Sequence, residues 1–266
     1  MNKTIIAITA DRGVPKIKLD RLSQQTSIPV LTKKISPDYL LHISTDQLEL
    51  RKVPEVTKKK PDKALSISID FAAGKTQHRR LHGGGKGQDI AKAVGLQKIQ
   101  NPTVLDLTAG MGGDAFVLAS LGADVTMLER NPVVHALLKD ALERAALVMD
   151  SELEEILARL ALVNQGAMDY LESLNESELP DVIYFDPMFP SRNKTAQVKK
   201  EMQFFHDIVG DDQDSESVLM LALSKAEKRI VVKRPRLAEK LTESLEPAFQ
   251  ITGKSTRYDI YLPKKQ

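Results

Sequence analysis

The chain has 266 residues, of which 42% are apolar and 28% are charged, a composition typical of a soluble globular protein with a sizeable core. It contains no cysteine, which excludes disulfides and thiolate metal sites and agrees with a reducing, cytoplasmic location. No apolar run approaches the roughly 18 residues that a membrane-spanning helix needs, and the apolar stretch at residues 5–8 is too short for a signal peptide.

Positive charge is concentrated at the front of the chain. Residues 1–100 hold 19 lysines and arginines against 9 acids, whereas the remainder holds 19 against 27, so the net charge of +2 combines a basic front with an acidic rear. This asymmetry indicates a polyanionic partner for the front of the protein, the alternative being a solvated basic surface.

The first 65 residues are predicted to form a small N-terminal α+β domain. Short strands are expected at residues 5–8, 30–31, 39–43 and 48–50, with a helix near residues 19–26. Residues 53–63, which contain two prolines and four lysines, are typical of a charged connector. We therefore divide the chain into residues 1–65 and a larger domain, residues 66–266.

The larger domain opens with a strand, predicted by period-two alternation over residues 64–71, and a basic glycine-rich loop over residues 73–87. Neither glycine–lysine pair in this loop has the earlier glycine of a Walker A motif, so we reject an ATP-binding loop. His78 and His82 have a spacing seen in metal sites, but no third ligand lies nearby in the sequence, and we expect no metal. The loop is predicted to bind phosphates through Lys75, Arg79, Arg80 and Lys86. The alternative is a flexible linker.

The stretch Thr103-Val-Leu-Asp-Leu-Thr-Ala-Gly-Met-Gly-Gly-Asp114 predicts a strand, a tight turn and the start of a helix. Its glycines allow the backbone to approach a ligand closely at a helix N-terminus: Gly110, Gly112 and Gly113. The next predicted strand, residues 125–128, is followed by Glu129, 19 residues after Gly110, where an acid commonly meets a nucleotide ribose. The pattern therefore predicts a nucleoside-cofactor site.

Charge distinguishes between two cofactors that fit this spacing. Gly110-x-Gly112-x-x-Ala115 also matches the fingerprint of NAD-binding proteins. Asp114 at the helix N-terminus would repel the pyrophosphate of NAD but tolerates a ligand with a sulfonium and an ammonium, and Asp106 suits that ammonium. We therefore predict S-adenosyl-L-methionine, with NAD and a purely structural turn as alternatives.

From residue 88 onward, predicted helices and strands alternate, which indicates a doubly wound, Rossmann-like α/β sheet. Helices are expected over residues 89–96, 115–119, 132–149, 151–160, 197–208 and 215–226. Strands are expected over residues 103–107, 125–128, 161–163, 181–185 and 229–232. Asn131 and Pro132 form a favourable N-cap pair for the third of these helices. Residues 249–262 predict a C-terminal antiparallel hairpin around Gly253.

A second motif, Asp186-Pro187-Met188-Phe189, directly follows the strand predicted over residues 181–185. It resembles the Asp-Pro-Pro-aromatic loop of methyltransferases that modify exocyclic amines. Asp186 and the Pro187 carbonyl would accept the two N–H bonds of the amine, and Phe189 would stack on the base, the alternative being a tight turn with Phe189 in the core. The residues that follow these strands are expected to converge on one crevice: Asp106, Glu129, Gly166 and Asp186.

Basic residues come after this motif and after the strand predicted over residues 229–232. They would rim the same crevice, as a nucleic-acid substrate requires, although each group taken alone is more often a solvated surface. These candidate RNA-binding residues are Arg192, Lys194, Lys199, Lys200, Lys233 and Arg234.

Long strings of this sequence recur in order in one known family, among them His78-Arg-Arg80, Gly83-Gly-Gly85, Asp186-Pro-Met-Phe-Pro190 and Val231-Val-Lys-Arg-Pro235. Over about residues 48–261 the chain resembles the RsmJ family, bacterial methyltransferases of 16S ribosomal RNA that act on a guanine N2. The resemblance implies a class I methyltransferase fold and places cofactor contacts at Gly113, Asp114, Glu129, Arg130, Gly166, Ala167 and Asp186. The chain departs from the family pattern where Gly113 replaces an arginine and where Gly166-Ala167 replaces two serines.

We therefore expect an S-adenosyl-L-methionine-dependent (guanine-N2)-methyltransferase that acts on 16S ribosomal RNA of the small subunit and needs no metal. The alternatives are a DNA adenine-N6 methyltransferase and a non-catalytic ribosome-binding protein with a residual cofactor pocket.

Overall fold

The computed structural model of the chain describes residues 4–54, 65–73, 85–188, 208–210, 212 and 214–263. The strands are β1 Ile6–Ala10, β2 Tyr39–Ile43, β3 Leu48–Lys52, β4 Ser66–Ile67, β5 Thr103–Asp106, β6 Asp124–Leu128, β7 Leu160–Val163, β8 Val182–Phe185, β9 Arg229–Pro235, β10 Phe249–Thr252 and β11 Thr256–Tyr261. The α-helices are α1 Lys16–Thr26, α2 Asp89–Val94, α3 Gly113–Ser120, α4 Pro132–Ala145, α5 Ser151–Leu157, α6 Ala167–Ser173 and α7 Ser215–Ala222. Within these residues, no helix has the length and apolar character needed to cross a bilayer.

The described residues divide into two compact units. The first unit takes those of Met1–Asp70, Asn131–Leu147 and Pro190–Asp211, and the second takes those of Phe71–Arg130, Val148–Phe189 and Asp212–Gln266. The domain boundary predicted after residue 65 stays a prediction, and β4, which begins at Ser66, pairs with β3 in the sheet of the first unit.

The first unit is a small α+β arrangement, as the sequence predicted. Its sheet has the order β1-β2-β3-β4, with β1 and β2 parallel and the other neighbours antiparallel. Helix α1 packs on β1, and α4 packs on α1 and β3. Asp140 of α4 fixes this packing, because its Oδ2 accepts the backbone N–H of Leu48 at 3.0 Å and the Nε–H of Arg144 at 2.8 Å.

The second unit is the doubly wound sheet that the alternation of elements predicted. Its seven strands have the order β10-β11-β9-β8-β5-β6-β7; β9-β8-β5-β6-β7 are parallel, and β11 and β10 are added antiparallel. Every residue of β8 is buried, because its Val-Ile-Tyr-Phe sequence suits a central strand that is covered on both faces. The carboxyl ends of the five parallel strands therefore meet at one edge of the sheet.

Several predicted bounds are corrected by the structure; at residues 30–31, for example, only an isolated bridge between Val30 and Ile8 replaces the predicted strand. The strand predicted over residues 64–71 pairs only at Ser66–Ile67, although its alternation persists in the burial of Ile67, Ile69 and Phe71. The helix predicted to end at residue 149 ends at Ala145, and the following Leu147 and Met149 are exposed rather than packed. The helices predicted over residues 151–160 and 215–226 end at Leu157 and Ala222.

The remaining helices, a connector and a cap have other outcomes. Helix α6 was not predicted, because its seven residues carry too short an apolar pattern and its N-cap, Gly166, makes no side-chain cap hydrogen bond. The helix predicted over residues 197–208 falls outside the described residues apart from its last position, and so does most of the connector predicted over residues 53–63. The cap predicted at Asn131 is confirmed, since its side chain accepts the N–H groups of Val133 and Val134.

Candidate active site

A glycine turn joins β5 to α3 at the carboxyl edge of the parallel strands. Gly110 and Gly112 have φ angles of +55° and +72°, a left-handed conformation that side chains with a Cβ rarely adopt. The N–H of Gly110 donates to Oε2 of Glu129 at 3.1 Å, so the acid that follows β6 lies against the turn. The structure thus brings together the glycines and the acid that the sequence predicted at one nucleoside site.

Asp106, the last residue of β5, is only 1% exposed. Its Oδ1 accepts the N–H of Thr108 at 3.1 Å. The pKa of Asp106 is raised to about 8, mainly by burial and also by the nearby Asp114 and Asp186 carboxylates, against the opposing effects of the Thr108 hydrogen bond and Lys233. A carboxylate in such surroundings is strongly stabilised by a cationic group placed beside it, which fits the predicted pairing with a cofactor ammonium.

Three charged side chains from distant parts of the chain form what we call the acid–lysine cluster: Asp114, Asp186 and Lys233. The Lys233 Nζ lies 2.7 Å from Oδ2 of Asp114 and 2.8 Å from Oδ2 of Asp186. The Tyr184 hydroxyl donates to the same Asp114 oxygen at 2.8 Å. Helix α3, the end of β8 and β9 therefore meet through charge at the edge where the glycine turn lies.

The charges in the acid–lysine cluster perturb one another. Partial burial raises the pKa of the Asp186 carboxyl, while the Lys233 ammonium holds that pKa down. Burial acts to lower the pKa of Lys233, but Asp186 and Asp114 together raise it above its ordinary value. Lys233 is therefore a permanent cation at neutral pH.

The loop that follows β8 is anchored at two points. The N–H of Asp186 donates to Oγ1 of Thr108 at 2.8 Å, which links this loop to the glycine turn. The N–H of Met188 donates to Oδ2 of Asp212 at 2.7 Å, and the N–H of Asp212 donates back to the Met188 carbonyl at 3.2 Å. Met188 stands where the resembled loop has a second proline, and a proline would have no N–H for Asp212 to accept.

Asp212 also binds the predicted cofactor residue Arg130. The Arg130 Nη2 lies 2.6 Å from Oδ1 of Asp212, whose side chain is 10% exposed. One buried carboxylate thus connects the residue after Glu129 with the loop after β8.

Two glycines stand at positions where the chain departs from the family pattern, Gly113 and Gly166. Neither Gly113 nor Gly166 has a positive φ, and an added Cβ would meet no atom within 4 Å at Gly113 and only Oδ2 of Asp169, at 3.8 Å, at Gly166. Gly166 and Ala167 begin α6 just after β7, and Asn164 there donates to the Glu129 carbonyl at 2.8 Å. The glycines are therefore not required by the backbone, and the predicted residues lie along the same edge as Glu129.

Three residues that contact the predicted site residues were not predicted from the sequence: Thr108, Tyr184 and Asp212. Tyr184 lies in an apolar strand and gave only a core signal, and Thr108 lies within the glycine stretch without a recognised role. Asp212 belongs to a run of acids whose pairing with Met188 and Arg130 depends on tertiary structure alone.

The predicted RNA-binding residues have varied positions. Lys86 is exposed in a short 3₁₀ turn, Gly85–Gly87. Lys233 lies in the acid–lysine cluster, and Arg234 is 6% exposed with its Nη2 donating to the Glu239 carbonyl at 2.8 Å. Neither side chain is a fully solvated surface residue, and a phosphate contact by either residue stays a prediction. Outside the described residues lie Lys75, Arg79, Arg80, Arg192, Lys194, Lys199 and Lys200, together with His78, His82 and Phe189.

Comparisons of the sequence and of the structure with known proteins both find methyltransferases. Residues 22–263 match a family described as "Putative SAM-dependent methyltransferase". The chain is 52% identical over 203 residues to the ribosomal RNA small subunit methyltransferase J of Cellvibrio japonicus, a match that covers 75% of this chain and 76% of that protein. It is 47% identical over 228 residues to the protein of the same name from Pseudomonas syringae pv. syringae, with 86% and 81% covered.

A solved structure has the same fold over nearly the whole chain. The crystal structure of a SAM-dependent methyltransferase from Neisseria gonorrhoeae is 38% identical and superposes with a TM-score of 0.71. The match covers 98% of this chain and 96% of that one.

Proposed function

We propose that this chain, which belongs to the RsmJ family of S-adenosyl-L-methionine-dependent methyltransferases, transfers a methyl group to the exocyclic N2 of a guanine in 16S ribosomal RNA. The observation that carries the proposal is the position of Asp186. Asp186 directly follows β8; its backbone N–H donates to Thr108 in the glycine turn, and its Oδ2 accepts from the Lys233 ammonium.

The carboxylates at the site favour a cationic cofactor. Asp106 and Glu129 are buried beside the glycine turn, and Asp114 is in the first turn of α3. The ionised forms of these acids would be stabilised by a ligand with a sulfonium and an ammonium and would repel one with a pyrophosphate. When bound, S-adenosyl-L-methionine supplies a methyl group that its sulfonium has already activated.

An amine acceptor accounts for the second motif. The lone pair of an exocyclic amine is delocalised into the base, which makes the nitrogen a poor nucleophile. Asp186 and the Pro187 carbonyl would accept its N–H bonds and offset the positive charge that develops on nitrogen. Phe189 would stack on the extruded base.

The RNA substrate is supported by the relatives. Curated proteins about 50% identical to this chain are named as methyltransferases of the ribosomal small subunit. The basic first 100 residues agree with a polyanionic partner. We place the reaction in the cytoplasm, where ribosomal subunits are assembled. Guanine N2 is the finer part of the proposal and rests on the motif after β8.

Methyl transfer from tritiated S-adenosyl-L-methionine tests this function. We expect incorporation into small ribosomal subunits or 16S RNA, little into duplex DNA, and N2-methylguanine as the product in mass spectra of digested RNA. Incorporation into DNA adenine would instead support the first alternative, and cofactor binding without transfer would support a ribosome-binding protein.

Asp186→Asn is the variant that connects this activity to the site. An amide would present an N–H donor to the donor group of the amine, and loss of one such charge-stabilising acceptor costs roughly 10²–10³ in rate. Asp124→Asn is a matched control, because Asp124 is an exposed acid at the opposite end of the parallel strands. An Asp186→Asn enzyme with nearly the normal single-turnover rate would remove the loop after β8 from the mechanism.

A further inference from the structure

We propose that Lys233 is a positioning residue for methyl transfer, which holds Oδ2 of Asp186 so that Oδ1 accepts an N–H of the target amine. The inference rests on the proposed function of the site. It assigns Lys233 to the reacting centre instead of to a phosphate of the RNA backbone.

The position of Lys233 is fixed by its strand. β9 lies between β8 and β11, and Lys233 is the register partner of Tyr258 on β11. Its side chain is 27% exposed, whereas that of Lys228, just before the same strand, is 45% exposed. A lysine stem held in the middle of a sheet loses less conformational freedom when its ammonium binds two carboxylates than a surface lysine would.

Two hydrogen bonds then define the orientation of Asp186. Its backbone N–H is bonded to Oγ1 of Thr108, and its Oδ2 is bonded to the Lys233 ammonium. With Oδ2 engaged, Oδ1 is the oxygen that can accept from the amine. Because Lys233 also binds Asp114 in the first turn of α3, one cation positions the acceptor loop relative to the helix of the cofactor turn.

Lys233 also sets the charge of Asp186. The charged and titratable groups that interact with Asp186 come from the neighbouring elements, and most are acidic or phenolic: Asp106 of β5, Asp114 of α3, Tyr184 of β8, and Lys233 and Arg234 of β9. In such surroundings a carboxyl without its nearest cation binds a proton more tightly. A protonated Asp186 would lose both an acceptor oxygen and the negative charge that balances the amine nitrogen.

The test is the pH dependence of single-turnover methyl transfer by the purified full chain, with Lys233→Met and Lys233→Arg. An opposite charge at this distance lowers a carboxyl pKa by about 1–3 units, so Lys233→Met should move the acid limb of the profile upward by about that amount. Its rate deficit at the acid end should grow about tenfold for each unit of pKa shift. At high pH the deficit should fall to the part that the lost orientation of Asp186 causes. Lys233→Arg, which keeps the charge, should return the limb toward the wild-type position.

Lys228→Met is the matched control, because Lys228 makes a 2.6 Å ion pair with Asp181 at the opposite end of the strands. It should leave the acid limb unchanged. No deficit in Lys233→Met at any pH would overturn the positioning role. An acid limb that does not move in Lys233→Met, or a Lys233→Arg profile identical to that of Lys233→Met, would overturn the charge-setting role.

A second measurement separates this inference from the proposed function. Carbon-13 NMR of the Asp186 carboxyl, assigned with Asp186→Asn, reports its titration without any RNA. If the wild-type chain does not methylate ribosomal RNA, the proposed function fails, yet a higher Asp186 pKa in Lys233→Met would still support the charge-setting role of Lys233. An unchanged Asp186 titration would overturn it.

Discussion

At the residue scale, the acids of the site differ in how their charge is compensated. Asp114 and Asp186 share the Lys233 ammonium, whereas Asp106 accepts the N–H of Thr108 and lies in the interior of the sheet. Because burial raises the pKa of Asp106 to about 8, this carboxyl holds a proton at neutral pH that the unfolded chain would have released. Under our proposal, in which Asp106 meets the cofactor ammonium, cofactor binding is coupled to loss of this proton.

We predict that the affinity for S-adenosyl-L-methionine rises with pH from about 6 to 8, by up to about tenfold per unit, because the ammonium pairs with ionised Asp106. Binding should release a proton, which calorimetry in buffers of different ionisation enthalpy measures. Asp106→Asn should bind more weakly and with a flat pH profile. A wild-type affinity that is independent of pH over this range would show that the ammonium lies elsewhere.

The raised pKa of Asp106 also makes the stability of the unligated protein depend on pH. The raised pKa means that the folded chain binds the Asp106 proton more tightly than the unfolded chain does. This contribution to stability is fully present below the ordinary Asp pKa of 3.8 and is lost as the pH rises through about 8. Bound cofactor, by pairing with the ionised form, should oppose that loss.

At the element scale, the loop after β8 depends on a partner from outside its own sequence. Asp212, which precedes α7, accepts the Met188 N–H and binds Arg130. Since Met188 replaces a rigid proline, the direction of the Pro187 carbonyl depends on this anchor. The stiffness that proline would provide through its ring is provided here by a hydrogen bond.

Asp212→Ala should therefore slow methyl transfer more than it weakens cofactor binding. Leaving a partly buried donor without its acceptor costs about 1–3 kcal/mol, or roughly tenfold to a hundredfold if that free energy is lost from the productive loop conformation. Asp214→Ala is the control, because Asp214 lies 3.8 Å from Arg130 but is 47% exposed and further from it than Asp212. Equal single-turnover rates for the two variants would show that the Met188 anchor is not needed.

At the scale of the whole molecule, the basic first 100 residues and the acidic remainder of the chain have different roles under our proposal. The acids include those of the cofactor site, and the excess of lysine and arginine lies before residue 100. The carboxylates of the site would repel RNA. Long-range attraction by the basic first 100 residues would offset this repulsion.

Replacing Arg79, Arg80 and Lys86 together should weaken RNA binding and reduce the slope of log affinity against log salt by about 0.7–0.9 for each lost phosphate contact. Cofactor affinity should stay the same. The control removes three exposed lysines from other parts of the chain: Lys98, Lys139 and Lys254. If both triple variants change the slope equally, the effect is one of net charge, and the loop at residues 73–87 has no specific role.

The elements of this protein were determined by local sequence. Alternation and apolar runs predicted the strands from β5 to β11 to within a few residues, and Asn131-Pro132 marked the start of α4. The glycine turn and the position of Glu129 were also visible, because closely spaced glycines and the separation of consecutive strands are properties of a short stretch of chain. These signals need no knowledge of what lies next to them in space.

Tertiary structure alone decided how the charges are paired. Lys233 reads in the sequence as one of several basic residues, and Asp212 as one of several acids. Their partners, Asp186 and Met188, are separated from them by 47 and 24 residues. Side-chain pairs between strands and loops depend on sheet order and register, which bring β8 beside β9 and fix which face each residue occupies. The sequence therefore predicted where a cofactor site would form, and only the fold decided which cation compensates its acids.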